Sequence, residues 1–336
     1  MRYVYLLLLM FISLFFTACS GKKYFEPKKT SSISNSRSYH GKIVDLSHNG
    51  ATLDSGEYID KAGIHRVNLG EGYRFINENS TYVLATNVKG ILKILDKKSK
   101  KPVSQISLGT PVVSASIKNN ILAYVLSNNT FGLYNIATKK KMMESPSGVT
   151  YAINTKSANP IFIDNLAIMP MLDGKLIISD MYNSNNTKVI YLSSHKAFNN
   201  VIYLSRIGDT LIAATSKKII ALGSNGEKTY NANITDIANN NNTIYLFTNE
   251  GNIIRLNSGL KVLSQKKFKY AHFSAVTAFK NKVYALDQKG SLIVLSQDLN
   301  KVKIYDIGSV DESVFITGSK LYKDGKIIDL SKLGYE

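Results

Sequence analysis

Apolar and polar positions alternate in short runs along almost the whole chain, and one arrangement recurs. Residues 82–96 (YVLATNVKGILKILD), 120–137 (NILAYVLSNNTFGLYNIA) and 165–180 (NLAIMPMLDGKLIISD) share it. So do residues 209–223, 242–257, 281–296 and 319–331. Each copy is a β-rich run, a tight turn and a second β-rich run. The turns are anchored at Gly90, Thr130, Gly174, Lys218, Gly251, Gly290 and Gly325, at spacings between 33 and 44 residues. A shorter apolar run precedes most copies (73–76, 112–117, 161–163, 201–207, 234–238, 275–279, 314–317), and a more polar one follows, as at 102–108 and 301–307. Four strands per period with no 3.6-residue periodicity predict an all-β chain folded as a single β-propeller of four-stranded blades. One four-stranded sheet cannot bury both its faces, whereas blades stacked around an axis bury them against each other and leave only short edges.

Two blade counts follow from the pattern. Seven anchors give seven blades, and the last copy ends after its third strand, near Leu330. The missing outer strand could then come from the N-terminal side, where residues 41–47 and 51–54 have no partners in the pattern, closing the ring by pairing the two ends of the chain. Alternatively, residues 41–46 (GKIVDL), which copy 325–330 (GKIIDL), open a degenerate eighth blade. The pattern favours seven and leaves eight open.

The N-terminus is organised differently. Arg2 precedes an apolar run of 13 residues, Val4 to Phe16, and then Thr17, Ala18 and Cys19. The run is short for a membrane span, where about 20 apolar residues are usual, and it reads as a secretory signal peptide. The only cysteine of the chain stands where the small-residue cleavage site belongs. Residues 16–19 (FTAC) thus resemble the lipobox of bacterial lipoproteins, with Phe in place of the usual Leu. The resemblance implies cleavage before Cys19, acylation of its sulfur and new amino group, and stable membrane anchoring by two or three chains. Ser20, rather than Asp, follows the cysteine, which favours the outer membrane. Residues 20–40 are rich in Ser and Lys. The sequence therefore divides into a signal peptide (1–18), a lipidated N-terminus and flexible tether (19–40), and a propeller domain (41–336).

Composition changes this picture in three places. A formal charge of +18 first suggests nucleic acid, but a secreted, lipid-anchored domain does not meet chromosomal DNA. Part of the basicity belongs to a chain rich in Lys, Asn and Ile, and the lysines are spread through turns (97–101, 139–141, 266–269). Acidic partners are then lipid head groups, lipopolysaccharide or an acidic protein face. A single Cys excludes disulfide and CxxC chemistry. The absence of Trp argues against propellers with Trp-Asp repeat ends.

Few residues offer catalytic or metal chemistry. Turns such as 172–174, 287–290 and 323–325 bring one Asp each, whereas calcium takes six to eight oxygen ligands; Asp and Gly at hairpin tips are explained by turn geometry. Histidines 40, 48, 65, 195 and 272 match no zinc spacing. Met169 and Met171 lie in a Met-rich stretch that reads as β core rather than a copper site. No nucleophile elbow or phosphate loop is present. No catalytic residue, cofactor or metal is expected.

Residues 283–296 (VYALDQKGSLIVLS) and 91–106 (ILKILDKKSKKPVSQI) resemble the repeat of pyrroloquinoline-quinone-type propellers. Quinone catalysis in that group uses Trp and a vicinal disulfide, which this chain lacks. A lipobox followed by such a propeller resembles BamB-type lipoproteins of the β-barrel assembly machinery. That resemblance implies a non-catalytic scaffold on the periplasmic side of the outer membrane, monomeric within a complex. Its partners would be the barrel insertase or client outer-membrane proteins. The reading from another class is a surface-displayed adhesin, a propeller binding host proteins or polyanions.

Overall fold

A computed structural model describes residues 23–183, 185–194, 197–224 and 226–335. Cys19 and the apolar run before it lie outside the described residues. Eight four-stranded blades follow one another: 43–65, 74–107, 112–146, 161–191, 203–231, 234–267, 273–306 and 315–329, numbered 1 to 8 below. Within a blade the strands run antiparallel in sequence order from the innermost to the outermost. Every anchor read from the sequence sits in or beside the turn between second and third strands.

The second strands show why the repeat specifies a ring. Ile121–Leu126 is buried throughout, yet its side chains part by the period of two. Leu122, Tyr124 and Leu126 join a cluster with Ile76, Leu84 and Ile94 of blade 2. Ile121, Ala123 and Val125 join Ala167, Met169 and Ile177 of blade 4. Each boundary between consecutive blades holds such a cluster, the boundary between blades 8 and 1 included, where Ile43, Leu53 and Ile59 meet Phe315 and Tyr322.

The count is therefore eight. Blade 1 escapes the repeat because its strands are only two to four residues long (Ile43–Leu46, Ala51–Leu53, Tyr58–Ile59, Ile64–His65). The two chain ends do pair, in blade 8, but residues 41–47 and 51–54, expected to supply the closing strand, fold into blade 1 instead. Ser36–Ser38 pairs antiparallel with Lys326–Asp329 as the outermost strand there. Ser31–Ser32 adds a parallel fifth strand to blade 7, against Tyr305 and Asp306. Residues 31–38, read above as tether, thus belong to the ring. Further upstream, the Phe25 ring meets Phe268 edge-on at 5.8 Å, and Lys289 Nζ lies 4.2 Å from the centre of the Tyr24 ring.

Candidate functional site

The hairpin topology divides the ring into two faces. Turns between first and second strands and between third and fourth strands lie at one end; turns between second and third strands lie at the other. At the first end, side chains tie neighbouring blades together. Asn79 Nδ2 donates to Ile117 O (3.0 Å), Lys118 Nζ to Asp164 O (2.7 Å) and Lys320 Nζ to Ala62 O (3.2 Å). Asn240 Nδ2 donates to Lys280 O.

This end is basic. Its turns carry Lys61, Lys97, Lys98, Lys100, Lys101, Lys139, Lys261, Lys280 and Lys301 against Asp60, Asp164, Asp209 and Asp298. Asp60 is buried and Asp298 accepts from Asn300 N and Ser296 Oγ. Lys98, Lys100, Lys139 and Lys261 are exposed. The turns of the opposite end carry Lys89, Lys217 and Lys289 against Asp54, Glu57, Asp173, Glu250 and Asp324. The basic turns scattered along the sequence are thus largely collected on one face by the fold.

The axial channel has a volume of about 570 Å³. Innermost strands of blades 1 and 5 to 8 line it. His48, on the turn after Ile43–Leu46, places its ring 6.4 Å from that of Tyr203 in blade 5. Thr155 and Lys156 reach in from the long connection between blades 3 and 4, and Lys156 pairs with Asp236 of blade 6. Asn200 holds that connection by donating to Asn154 O (3.1 Å) and Lys156 O (2.9 Å). The surrounding protein pushes the His48 imidazole below its ordinary range, Asp236 opposing. Asp45 has Arg74 at 3.7 Å, yet burial holds its carboxyl above the usual range. Both channel carboxylates are thus matched by cations.

A buried acid cluster lies under the basic face between blades 1 and 2. Asp60 accepts from Ala62 N (2.7 Å) and bonds His65 Nε2 (2.7 Å); Lys97 Nζ lies 2.5 Å from Glu78. The His65 ring stacks on Tyr58 at 4.7 Å, and Tyr58 stacks on Phe75 at 5.0 Å. Burial, then the neighbouring Asp60, pushes Glu78 above the usual carboxylate range. Burial acts the same way on Asp60, but hydrogen bonds from Glu78, His65 and Ala62 N outweigh it and hold that carboxyl low. Asp60 Oδ2 has no donor while Glu78 is ionised; a protonated Glu78 supplies one.

The two groups affect stability in opposite directions. The contribution of Asp60 is present above the ordinary carboxylate pKa and lost as pH falls through its lowered value. That of Glu78 is present at acid pH and lost as pH rises through its raised value. Glu78→Gln keeps a donor for Asp60 at every pH, and one added buried hydrogen bond is worth about 1 kcal/mol. Thermal melts should show the variant at least as stable as wild type at pH 7, without the loss of stability that wild type shows as pH rises above the ordinary carboxylate range. A melting temperature lowered by several degrees at pH 7 would contradict this.

The residues singled out in the sequence are dispersed. Cys19 and His195 lie outside the described residues. His48 lines the channel, His65 belongs to the acid cluster, and His40 and His272 are exposed. Asp173 binds Ser147 Oγ (2.9 Å), Gly148 N (2.8 Å) and Lys175 Nζ (2.6 Å), and Asp287 accepts from His272 N (2.8 Å) and Lys289 N (2.9 Å). Their carboxylates are bound to the protein's own loops. Met169 and Met171 are fully buried core residues between blades 3 and 4. No group of three or more His, Cys, Asp or Glu among the described residues could hold a metal ion. Sequence reasoning missed the Lys156–Asp236 pair, because its partners are 80 residues apart and neither belongs to a motif.

Among solved structures, BamB from Moraxella catarrhalis superposes with a TM-score of 0.66, covering 89% of this chain and 98% of that one at 12% identity. The chain has the BamB-like propeller fold. The computationally designed Ika8 protein (TM-score 0.62, 88% of this chain and 97% of that one) and Sqt1 of Saccharomyces cerevisiae (0.63, 88% and 98%) are similar in fold, both at 12% identity. No protein-family model matches the chain. Among curated proteins, two forms of plasminogen-binding protein PgbB from Helicobacter pylori are 27% identical to it over 379 aligned positions. The matches cover 98% of this chain and 70% and 69% of those proteins.

Proposed function

We propose that this protein is a non-catalytic, lipid-anchored binding propeller of the outer membrane that takes a host protein on its lysine-bearing face. The observation that carries the reading is the match to the plasminogen-binding proteins, which covers 98% of this chain and 70% and 69% of those proteins. A rigid ring fixes the turns that carry Lys98, Lys100, Lys139 and Lys261, so little backbone order is lost when a partner docks. Plasminogen is the first partner to test. Surface plasmon resonance should detect binding that weakens at least ~10-fold as NaCl rises from about 50 to about 300 mM, because screening shortens the reach of exposed charges. Absence of binding at low salt would refute plasminogen as the ligand.

The second reading is a periplasmic scaffold in barrel assembly, favoured by the BamB-like fold over nearly the full length of both chains. Protease shaving of intact cells separates the two. The host-binding reading expects digestion, whereas the scaffold reading expects protection and recovery of the barrel insertase in mild detergent.

A further inference from the structure

We infer that the face opposite the basic one lies against the lipid bilayer, so that the lysine-bearing face points away from it. The inference rests on the proposed acylation of Cys19. Tyr24 and Phe25 are docked on the ring at the boundary of blades 6 and 7, against Lys289 and Phe268. Lys289 lies in a turn between second and third strands, and Phe268 in the connection to the next blade; both belong to the same end of the ring. Only residues 20–23 separate Cys19 from Tyr24. Five Cα–Cα steps reach at most about 18 Å, less than would be needed to carry the anchor around the ring. The acyl chains therefore enter the bilayer next to this face.

An independent feature points the same way. Val88 (81% exposed), Val149 (78%), Tyr151 (72%) and Phe198 (53%) are large apolar residues on turns and connections of this same face. Phe198 N donates to Ala152 O at 2.8 Å, which joins two of the segments that bear them. On the basic face, the turns among the described residues carry only Tyr182 as an exposed large apolar side chain. Exposed apolar groups clustered on one side of a protein favour burial at an interface, and aromatic side chains suit the head-group region, where a ring has both apolar and wet surroundings.

The absence of Trp makes the orientation measurable by fluorescence. Tyr151→Trp and Tyr182→Trp each introduce the sole indole of the chain at turns of opposite faces, both already aromatic and similarly exposed (72% and 67%). Each acylated variant is reconstituted on vesicles of phosphatidylethanolamine and phosphatidylglycerol with brominated acyl chains. Emission from Tyr151→Trp should fall by at least about half, and that from Tyr182→Trp should stay within about a tenth of its value on unbrominated vesicles. Val88→Trp against Lys139→Trp repeats the comparison if either tyrosine variant misfolds. Mass spectrometry of the purified protein separates the two claims. An unmodified Cys19 overturns the anchored reading and the orientation with it; acylated protein with equal or reversed quenching overturns the orientation alone.

Discussion

A chain that begins at residue 41 will be several kcal/mol less stable than one that begins at residue 30. The difference is Ser31–Ser32 and Ser36–Ser38, which add strands to blades 7 and 8. The longer deletion exposes the edge of Lys326–Asp329 and removes the Tyr39 N to Gly325 O hydrogen bond (2.8 Å). It also removes Ile33 from the cluster between blades 7 and 8, and Tyr39 from its edge-on contact with Tyr322 at 5.9 Å. Each net hydrogen bond contributes roughly 0.5–1.5 kcal/mol, and each half-buried apolar side chain roughly 1 kcal/mol. The loss is on the order of 5 kcal/mol, a large share of the 5–15 kcal/mol typical of a domain. Urea titration checks it, and gel filtration should show self-association through the freed edge. Equal midpoints for the two truncations would mean that closure of the ring does not depend on these strands.

The second large effect is expected at Gly290, in the turn of blade 7. Its φ of +90° lies in a region that L side chains rarely adopt, and a Cβ there would run into the carbonyl oxygen of Gly308. The Gly290 carbonyl also accepts from Ile307 N at 3.0 Å, which joins this turn to the end of the outermost strand. Left-handed backbone costs about 1–2 kcal/mol for a residue with a Cβ, and a forced overlap about 1–3 kcal/mol more. Gly290→Val should therefore cost about 3–4 kcal/mol. Gly308→Ala is the control: its φ is +74°, but nothing lies within 4 Å of the added carbon. That variant should cost only the conformational part, about 1 kcal/mol. Similar losses at both positions would show that backbone conformation, not the close approach, dictates glycine at 290.

The contrast between Gly290 and Ser36–Ser38 shows what the sequence could reveal. Buried strands must alternate apolar side chains toward two neighbouring blades, so 120–137 and 281–296 announce themselves as blade cores. An outermost strand needs only its backbone, so Ser36, Arg37 and Ser38 carry no hydrophobic signal and resemble a tether. Blade 1 was legible only in its first strand, through the likeness of 41–46 to 325–330, for a related reason: with strands as short as Tyr58–Ile59, alternation has too few positions to be seen. The basic face was half legible. Its lysines stand out in the turns, but only the ring brings Lys98, Lys139 and Lys261, from three different blades, to one side. The channel lining was not legible, because Lys156 and Asp236 acquire meaning only once the connection between blades 3 and 4 is drawn over the axis.

The central claim, that the lysine-bearing face receives the protein partner, is tested most directly by comparing two charge-reversed proteins for plasminogen binding. One carries Lys98→Glu, Lys100→Glu, Lys139→Glu and Lys261→Glu; the other carries Lys89→Glu, Lys217→Glu and Lys289→Glu on the opposite face. Removal of exposed complementary charge acts through steering and through contacts at the interface. The first protein should bind at least ~10-fold more weakly than wild type, equivalent to about 1.4 kcal/mol, and the second should stay within about twofold. Equal binding by all three proteins, or a loss confined to the second, would contradict the account.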